Sequence, residues 1–200
     1  MAVVHPCDTG SLKGALLARD RGLIVPTLVG PEAKIRALAE QLGLDLHGCR
    51  LLNVPHSHAA ADKAVQLVLH VEALMKGSLH TDELMAEVID KATGLRTERR
   101  VSHVFMMDVP TYPRPLFITD AAVNIQPTLA DKIDIVQNAI DLGRMLHIAE
   151  PKVAILAAVE TVNPKMQATL DAAALCKMAD RGQISGGLID GPLAFDNAIS

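Results

Sequence analysis

Short apolar runs alternate with longer helical stripes along this chain, and that alternation constrains its fold more than any other feature. Runs at residues 2–4, 23–25, 51–54, 73–75, 101–107, 116–119, 153–159 and 183–189 read as strands. Between them, Leu12, Ala15 and Leu16 share a helical face that stops at Gly22, and Ile35, Leu38 and Leu42 make a stripe from Pro31 to Gly43. Residues 58–70 and 81–92, a long stripe of Leu129, Ile133, Val136 and Ile140, and the segment after Pro164 complete the helices. Ser11, Thr81 and Thr128 are the expected caps. Pro26 puts the run 23–25 at a sheet edge or at its end, with Leu28 and Val29 as its continuation. Strands alternating with helices predict an α/β fold with a parallel or mixed sheet. The stretch Pro110-Thr111-Tyr112-Pro113-Arg114-Pro115 is the clearest internal boundary. It predicts an N-terminal lobe over residues 1–115, a second over 116–200, and a cleft between them.

Half the residues are apolar, yet there are three Phe, one Tyr and no Trp. The core must therefore be aliphatic, as suits helices packed on a parallel sheet. A net charge of −4 and so few aromatics to stack bases argue against nucleic-acid binding. Cys7, Cys49 and Cys176 form no Cys-x-x-Cys pair, which fits reduced thiols in the cytoplasm. No signal peptide or membrane-length apolar run is expected.

Gly186-Gly187-Leu188-Ile189-Asp190-Gly191-Pro192 ends an apolar run in a turn signal. This places Asp190, Gly191 and Pro192 at a strand's carboxyl end, where open α/β sheets bind ligands, and Asp196 in the first turn of the next helix. A structural turn with a capping Asp reads equally well from the same residues. The sequence stops ten residues after Asp190, so part of a longer domain is expected to be missing.

Lys76-Gly77-Ser78-Leu79-His80-Thr81-Asp82 joins a strand to a helix. Free backbone N–H groups and the positive helix end would attract phosphate there, with Lys76, Gly77, Ser78, His80 and Thr81 as candidate ligands. The plainer alternative is a cap at Thr81 and a solvated Lys76. Arg96, Arg99 and Arg100 concentrate positive charge before a strand, and Arg100 is the nearest to it. Asp120, Asn124 and Gln126 flank the end of one strand, and Glu160, Thr161 and Asn163 that of another. Such clusters line a ligand mouth or merely cap the next helix. His56 and His58 lack a carboxylate at metal-ligand spacing, so no metal is expected.

Three signatures carry a resemblance. They are Ile118-Thr119-Asp120-Ala121-Ala122-Val123-Asn124, Ala149-Glu150-Pro151-Lys152-Val153-Ala154-Ile155-Leu156, and Asp190-Gly191-Pro192-Leu193-Ala194-Phe195-Asp196-Asn197-Ala198-Ile199. Together they resemble the phosphate acetyltransferase/phosphate butyryltransferase (phosphotransacylase) family. Leu74-Met75-Lys76-Gly77-Ser78 looks like its butyryltransferase branch. Val4-His5-Pro6-Cys7-Asp8 and Pro55-His56-Ser57-His58 resemble phosphotransacylase domains fused behind enoyl-CoA hydratase-like modules. The resemblance implies an isocitrate/isopropylmalate dehydrogenase-like fold of two α/β lobes, a cytoplasmic homodimer, and no cofactor. It implies the reaction acyl-CoA + phosphate ⇌ acyl phosphate + CoA, with acetyl-CoA or a short acyl-CoA and phosphate as partners. Lys76, Gly77, Ser78, His80, Thr81, Arg100, Asn124, Glu160, Asp190, Gly191 and Pro192 are the expected substrate-binding residues. The family's Ser-Arg-Ala-Asp-type catalytic segment has no counterpart here, so the catalytic residues are unassigned and the 200 residues alone are expected to be inactive or badly impaired. The alternative is a non-catalytic, acyl-CoA-sensing and dimerising module. A dehydrogenase of the same fold would need metal and nicotinamide sites that the sequence does not offer.

Overall fold

The computed structural model describes residues 1–68 and 73–200, which divide into two compact units, Met1–Thr97 and Glu98–Ser200. The expected boundary at the proline-rich stretch falls inside the second unit. A hairpin spans it, with β5 (Val104–Met107) paired antiparallel to β6 (Leu116–Thr119), so residues 104–107 belong to the second unit rather than the first.

The first unit runs β1 (Ala2–Val4), α1 (Thr9–Asp20), β2 (Thr27–Gly30), α2 (Glu32–Leu42), β3 (Arg50–Asn53), α3 (Ser57–Val68), β4 (Leu74–Lys76) and α4 (Thr81–Val88). The four strands pair in parallel in the order β3-β2-β1-β4. Ala2 and Val4 pack on one face with Ala60, Ala61 and Ala64 of α3 and Leu84 of α4. Val3 packs on the other with Leu12 and Leu16 of α1 and Ile35 and Ala39 of α2. Helices on both faces explain why β1 is apolar throughout and fully buried. Small alanines on α3 let that helix lie close to the sheet.

Several expected elements shift. Residues 23–25 form no strand, and Leu23 and Val25 are exposed; the ladder begins at Thr27, once Pro26, which has no N–H to give, is passed. The first helix starts at Thr9 because the Asp8 carboxylate accepts from the Ser11 amide at 2.8 Å, so Asp8 rather than Ser11 is the cap. Pro31 precedes α2 instead of opening it, while Gly43 ends that helix in the left-handed conformation, as expected. Residues 69–70 of the expected third helix lie outside the described residues. The helix after β4 ends at Val88 instead of continuing to residue 92.

The second unit contains the β5–β6 hairpin, α5 (Leu129–Met145), β7 (Lys152–Leu156), α6 (Gln167–Asp180), β8 (Leu188–Leu193) and a short α7 (Phe195–Ala198). Strands β7 and β8 pair in parallel. Val136 and Ile140 of α5 and Leu175 of α6 form its core with Val153, Ile155 and Ile189. Thr128 caps α5 in a reciprocal box: its hydroxyl accepts from the Asp131 amide, and Asp131 accepts from the Thr128 amide at 2.9 Å. Thr128→Ala is expected to lower the melting temperature by about 3 °C, read by circular dichroism. Among the described residues no helix is long and apolar enough to cross a membrane.

Candidate functional site

The parallel sheet of the first unit has a topological switch point between β1 and β4. From β1 the chain steps to β2 and β3 on one side, then returns to place β4 on the other. Loops leaving the carboxyl ends of β1 and β4 therefore part there, which is where open α/β sheets hold ligands. The first loop carries His5, Cys7 and Asp8; Lys76 ends β4, and the second loop carries Gly77, Ser78 and His80.

These two loops are stitched together. The Gly77 amide donates to the Val4 carbonyl at 2.8 Å and the Ser78 amide to the His5 carbonyl at 2.9 Å. The Ser78 hydroxyl donates to the His5 carbonyl at 3.0 Å and accepts from the Cys7 amide at 3.2 Å. His5 Nδ1 lies 2.8 Å from the Ser78 carbonyl, which can only accept, so the ring proton sits on Nδ1. The expected row of free amides is thus absent from residues 77 and 78, whose N–H groups face β1. The His80 amide is taken by Glu83, and Glu83 with Asp82 already meets the positive end of α4. Thr81 is the first helical residue and exposed rather than the cap. What remains for an anion at this edge is side-chain chemistry: an exposed Lys76 and the His5 imidazole.

The charges around it are consistent with that. The Ser11 amide and then its hydroxyl, aided by Gly10 and Lys76, hold the Asp8 carboxyl below the usual range. Burial pushes the Cys7 thiol up against the opposing pull of Lys34, which keeps it a thiol rather than a nucleophilic thiolate. Glu83 gathers Ser57 Oγ and His58 Nε2, each at 3.2 Å, between α3 and α4. Among the described residues no three His, Cys, Asp or Glu side chains group as a metal site.

In the second unit, Arg100 and Asn124 do meet, at 3.3 Å, but as part of a brace. Arg100 Nε donates to Asp131 at 2.7 Å and its amide to Asp134 at 2.9 Å. Asn124 Nδ2 donates to the Val101 carbonyl at 3.0 Å and to Asp120. Burial pushes Asp120 up, but the Val123 amide, Asn124, and the Ala122 and His103 amides outweigh it and hold the carboxyl low. These groups fasten the segment before β5 to the start of α5. Both expected ligands are committed to that task.

Asp190, Gly191 and Pro192 do not end a strand. β8 continues through them to Leu193, with the Gly191–Pro192 bond cis and a register shift opposite, between Ala154 and Leu156. Proline is admitted because the ladder is irregular there. Gly191 is needed for close approach: a Cβ would stand 2.8 Å from Ile155. Asp190 is exposed and accepts from the Gly191 amide, while Asp196 does lie in the first turn of α7. Burial, then Asp190 and Asp180, push the Cys176 thiol up. Glu160 is exposed in the loop after β7. His5 is not among the expected ligands, yet it is the group best placed by the fold; its signal is a His at the first residue after the first strand.

A parallel sheet with helices on both faces and a switch point between β1 and β4 defines the first unit as an open α/β fold. The chain belongs to the phosphate acetyl/butaryl transferase family, whose profile matches residues 60–200. It is 63% identical over 199 residues to a phosphate acetyltransferase of Rhizobium meliloti, covering 98% of this chain and 63% of that protein. It is 42% identical over 202 residues to a phosphate butyryltransferase of Clostridium acetobutylicum, covering all of this chain and 67% of that one. A branched-chain phosphotransacylase from Enterococcus faecalis V583 superposes with a TM-score of 0.78 at 26% identity, covering 98% of this chain and 69% of that one. The chain thus spans 63% and 58% of the length of two of the curated relatives it matches.

Proposed function

We propose that this chain is part of an enzyme that exchanges an acetyl or short acyl group between CoA and inorganic phosphate. The observation that carries the reading is the 63% identity, along nearly the whole chain, to a protein named phosphate acetyltransferase. A phosphate oxygen attacks the thioester carbonyl, a C–O bond forms, the C–S bond breaks, and CoA leaves. Such chemistry asks the protein to position two anions and to stabilise an oxyanion, and it needs no metal or prosthetic group. The exposed Lys76 at the end of β4 supplies a point charge for one of those anions. The finer expectations belong to the same reading: an isocitrate/isopropylmalate dehydrogenase-like arrangement, a cytoplasmic homodimer, and further contacts from Glu160 and Asp190.

The test is release of CoA thiol from acetyl-CoA and butyryl-CoA on addition of phosphate, using the protein that carries this chain. Phosphate-dependent release supports the reading, and its absence with every short acyl-CoA ends it. The same assay on the 200 residues alone tests the expected loss of turnover. Lys76→Ala is expected to raise the KM of one anionic substrate about tenfold, as loss of one charged contact would, with an unchanged melting temperature.

A further inference from the structure

His5 is held in a conformation that its sequence would not choose. Its φ is +52°, in the left-handed region that few residues other than glycine adopt. His147 also has a positive φ, 64°, but it simply terminates α5, its amide turning back to Arg144. His5 closes no helix. It continues the ladder, its amide donating to the Val29 carbonyl at 2.7 Å, while its carbonyl and Nδ1 are fixed by Ser78. A residue kept in a costly conformation by so many contacts is commonly one that must aim its side chain.

The aim is set by the ring. Nδ1 gives its proton to the Ser78 carbonyl, so it is the tautomer with a bare lone pair on Nε2 that this contact selects. Among the described residues Nε2 has no protein partner. Cδ2, the atom beside it, lies against Gly30 at the end of β2, where a Cβ would stand 3.8 Å from it, 3.4 Å from His5 Cα and 3.3 Å from Ile35 Cδ1. Two glycines therefore shape this corner: Gly77 lets β4 approach β1, and Gly30 lets His5 pack closely against the end of β2.

We propose that His5 is a specificity-determining residue for the oxyanion: Nε2 accepts the O–H of hydrogen phosphate. Resting on the acyl-transfer reading, this names the protonation state of the anion bound. Near neutral pH hydrogen phosphate keeps one O–H to donate, whereas sulfate, of the same shape and charge, keeps none. A fixed acceptor welcomes the first and repels the second, because a lone pair facing an unprotonated oxygen is left unpaired.

The test compares inorganic phosphate with sulfate, without acyl-CoA, by NMR titration of the full chain at pH 7.5. His5→Asn keeps a donor for the Ser78 carbonyl, tolerates positive φ, and removes Nε2. The wild type is expected to bind phosphate at least about tenfold more tightly than sulfate, the margin a lost or unpaired hydrogen bond gives. His5→Asn is expected to bind the two within about threefold of each other. An unchanged ratio in the variant, or no binding of phosphate by the wild type, overturns the proposal. Should the variant fail to fold, the 15N resonance of Nε2 in the wild type decides: it must move with phosphate and not with sulfate. Phosphate selectivity without CoA release would sink the transferase reading and leave this one standing.

Discussion

Gly77→Ala is expected to destabilise the first unit by at least about 3 kcal/mol, at the upper end for an overpacked site. A Cβ at that position would stand 2.3 Å from the Val4 carbonyl oxygen, 2.6 Å from that of His5 and 2.8 Å from the His5 carbonyl carbon. All three are backbone atoms of β1 and its exit, so no side chain can swing aside. Relief requires β4 to retreat from β1, which breaks the 2.8 and 2.9 Å hydrogen bonds from Gly77 and Ser78. The measurement is urea unfolding tracked by circular dichroism. A midpoint like that of the wild type would show that the two strands do not approach as described. Gly22→Ala provides the contrast, since a Cβ there meets nothing within 4 Å and only the φ of +70° opposes it.

Lys132→Met is expected to cost about 3 kcal/mol in the second unit, the lower end for breaking a buried ion pair. Asp171 on α6 is 4% exposed, and Lys132 Nζ on α5 reaches it at 2.6 Å. Gln167 Nε2 also donates to it, at 2.8 Å, so the stranded carboxylate would keep one partner. Burial pushes the Asp171 carboxyl up, but Lys132 and Gln167 outweigh it and hold it below the usual range. A lowered folded pKa means that the stabilisation is complete above the unfolded value of about 3.9 and fades as pH falls through the folded one. Without Lys132 the burial effect faces only Gln167, and the protonated acid becomes easier to bury. The stability gap between wild type and variant is therefore expected to be widest at neutral pH and to narrow below about pH 4. A gap independent of pH would mean that Lys132 contributes through its packed methylenes alone.

The fold was largely legible because its signals are local. Leu116–Thr119 is the strand expected, Thr128 caps the helix it introduces, and Gly43 takes the left-handed stop. Misreadings arose where a neighbour far along the chain decides the outcome. The apolar run at 23–25 has the composition of a strand but no ladder partner, and Val25 stays exposed. Asp-Gly-Pro reads as a turn, yet β7 tolerates it as an irregular stretch of its own partner. The site suffered in the same way. Nothing near Arg100 in sequence says that Asp131 will claim its guanidinium, and nothing in Lys76-Gly77-Ser78 says that its amides turn toward residues 4 and 5. The left-handed φ of His5 is equally invisible, since it is imposed by Ser78 from across the sheet.

The contact between His5 and Ser78 joins positions 73 apart, through a strand of only three residues. Closing so long a segment has an entropic cost that is recovered only after the intervening strands and helices have settled. The imidazole thus receives its orientation among the last events of assembly. A chain in which β4 has not yet joined β1 lacks the bond that orients this ring.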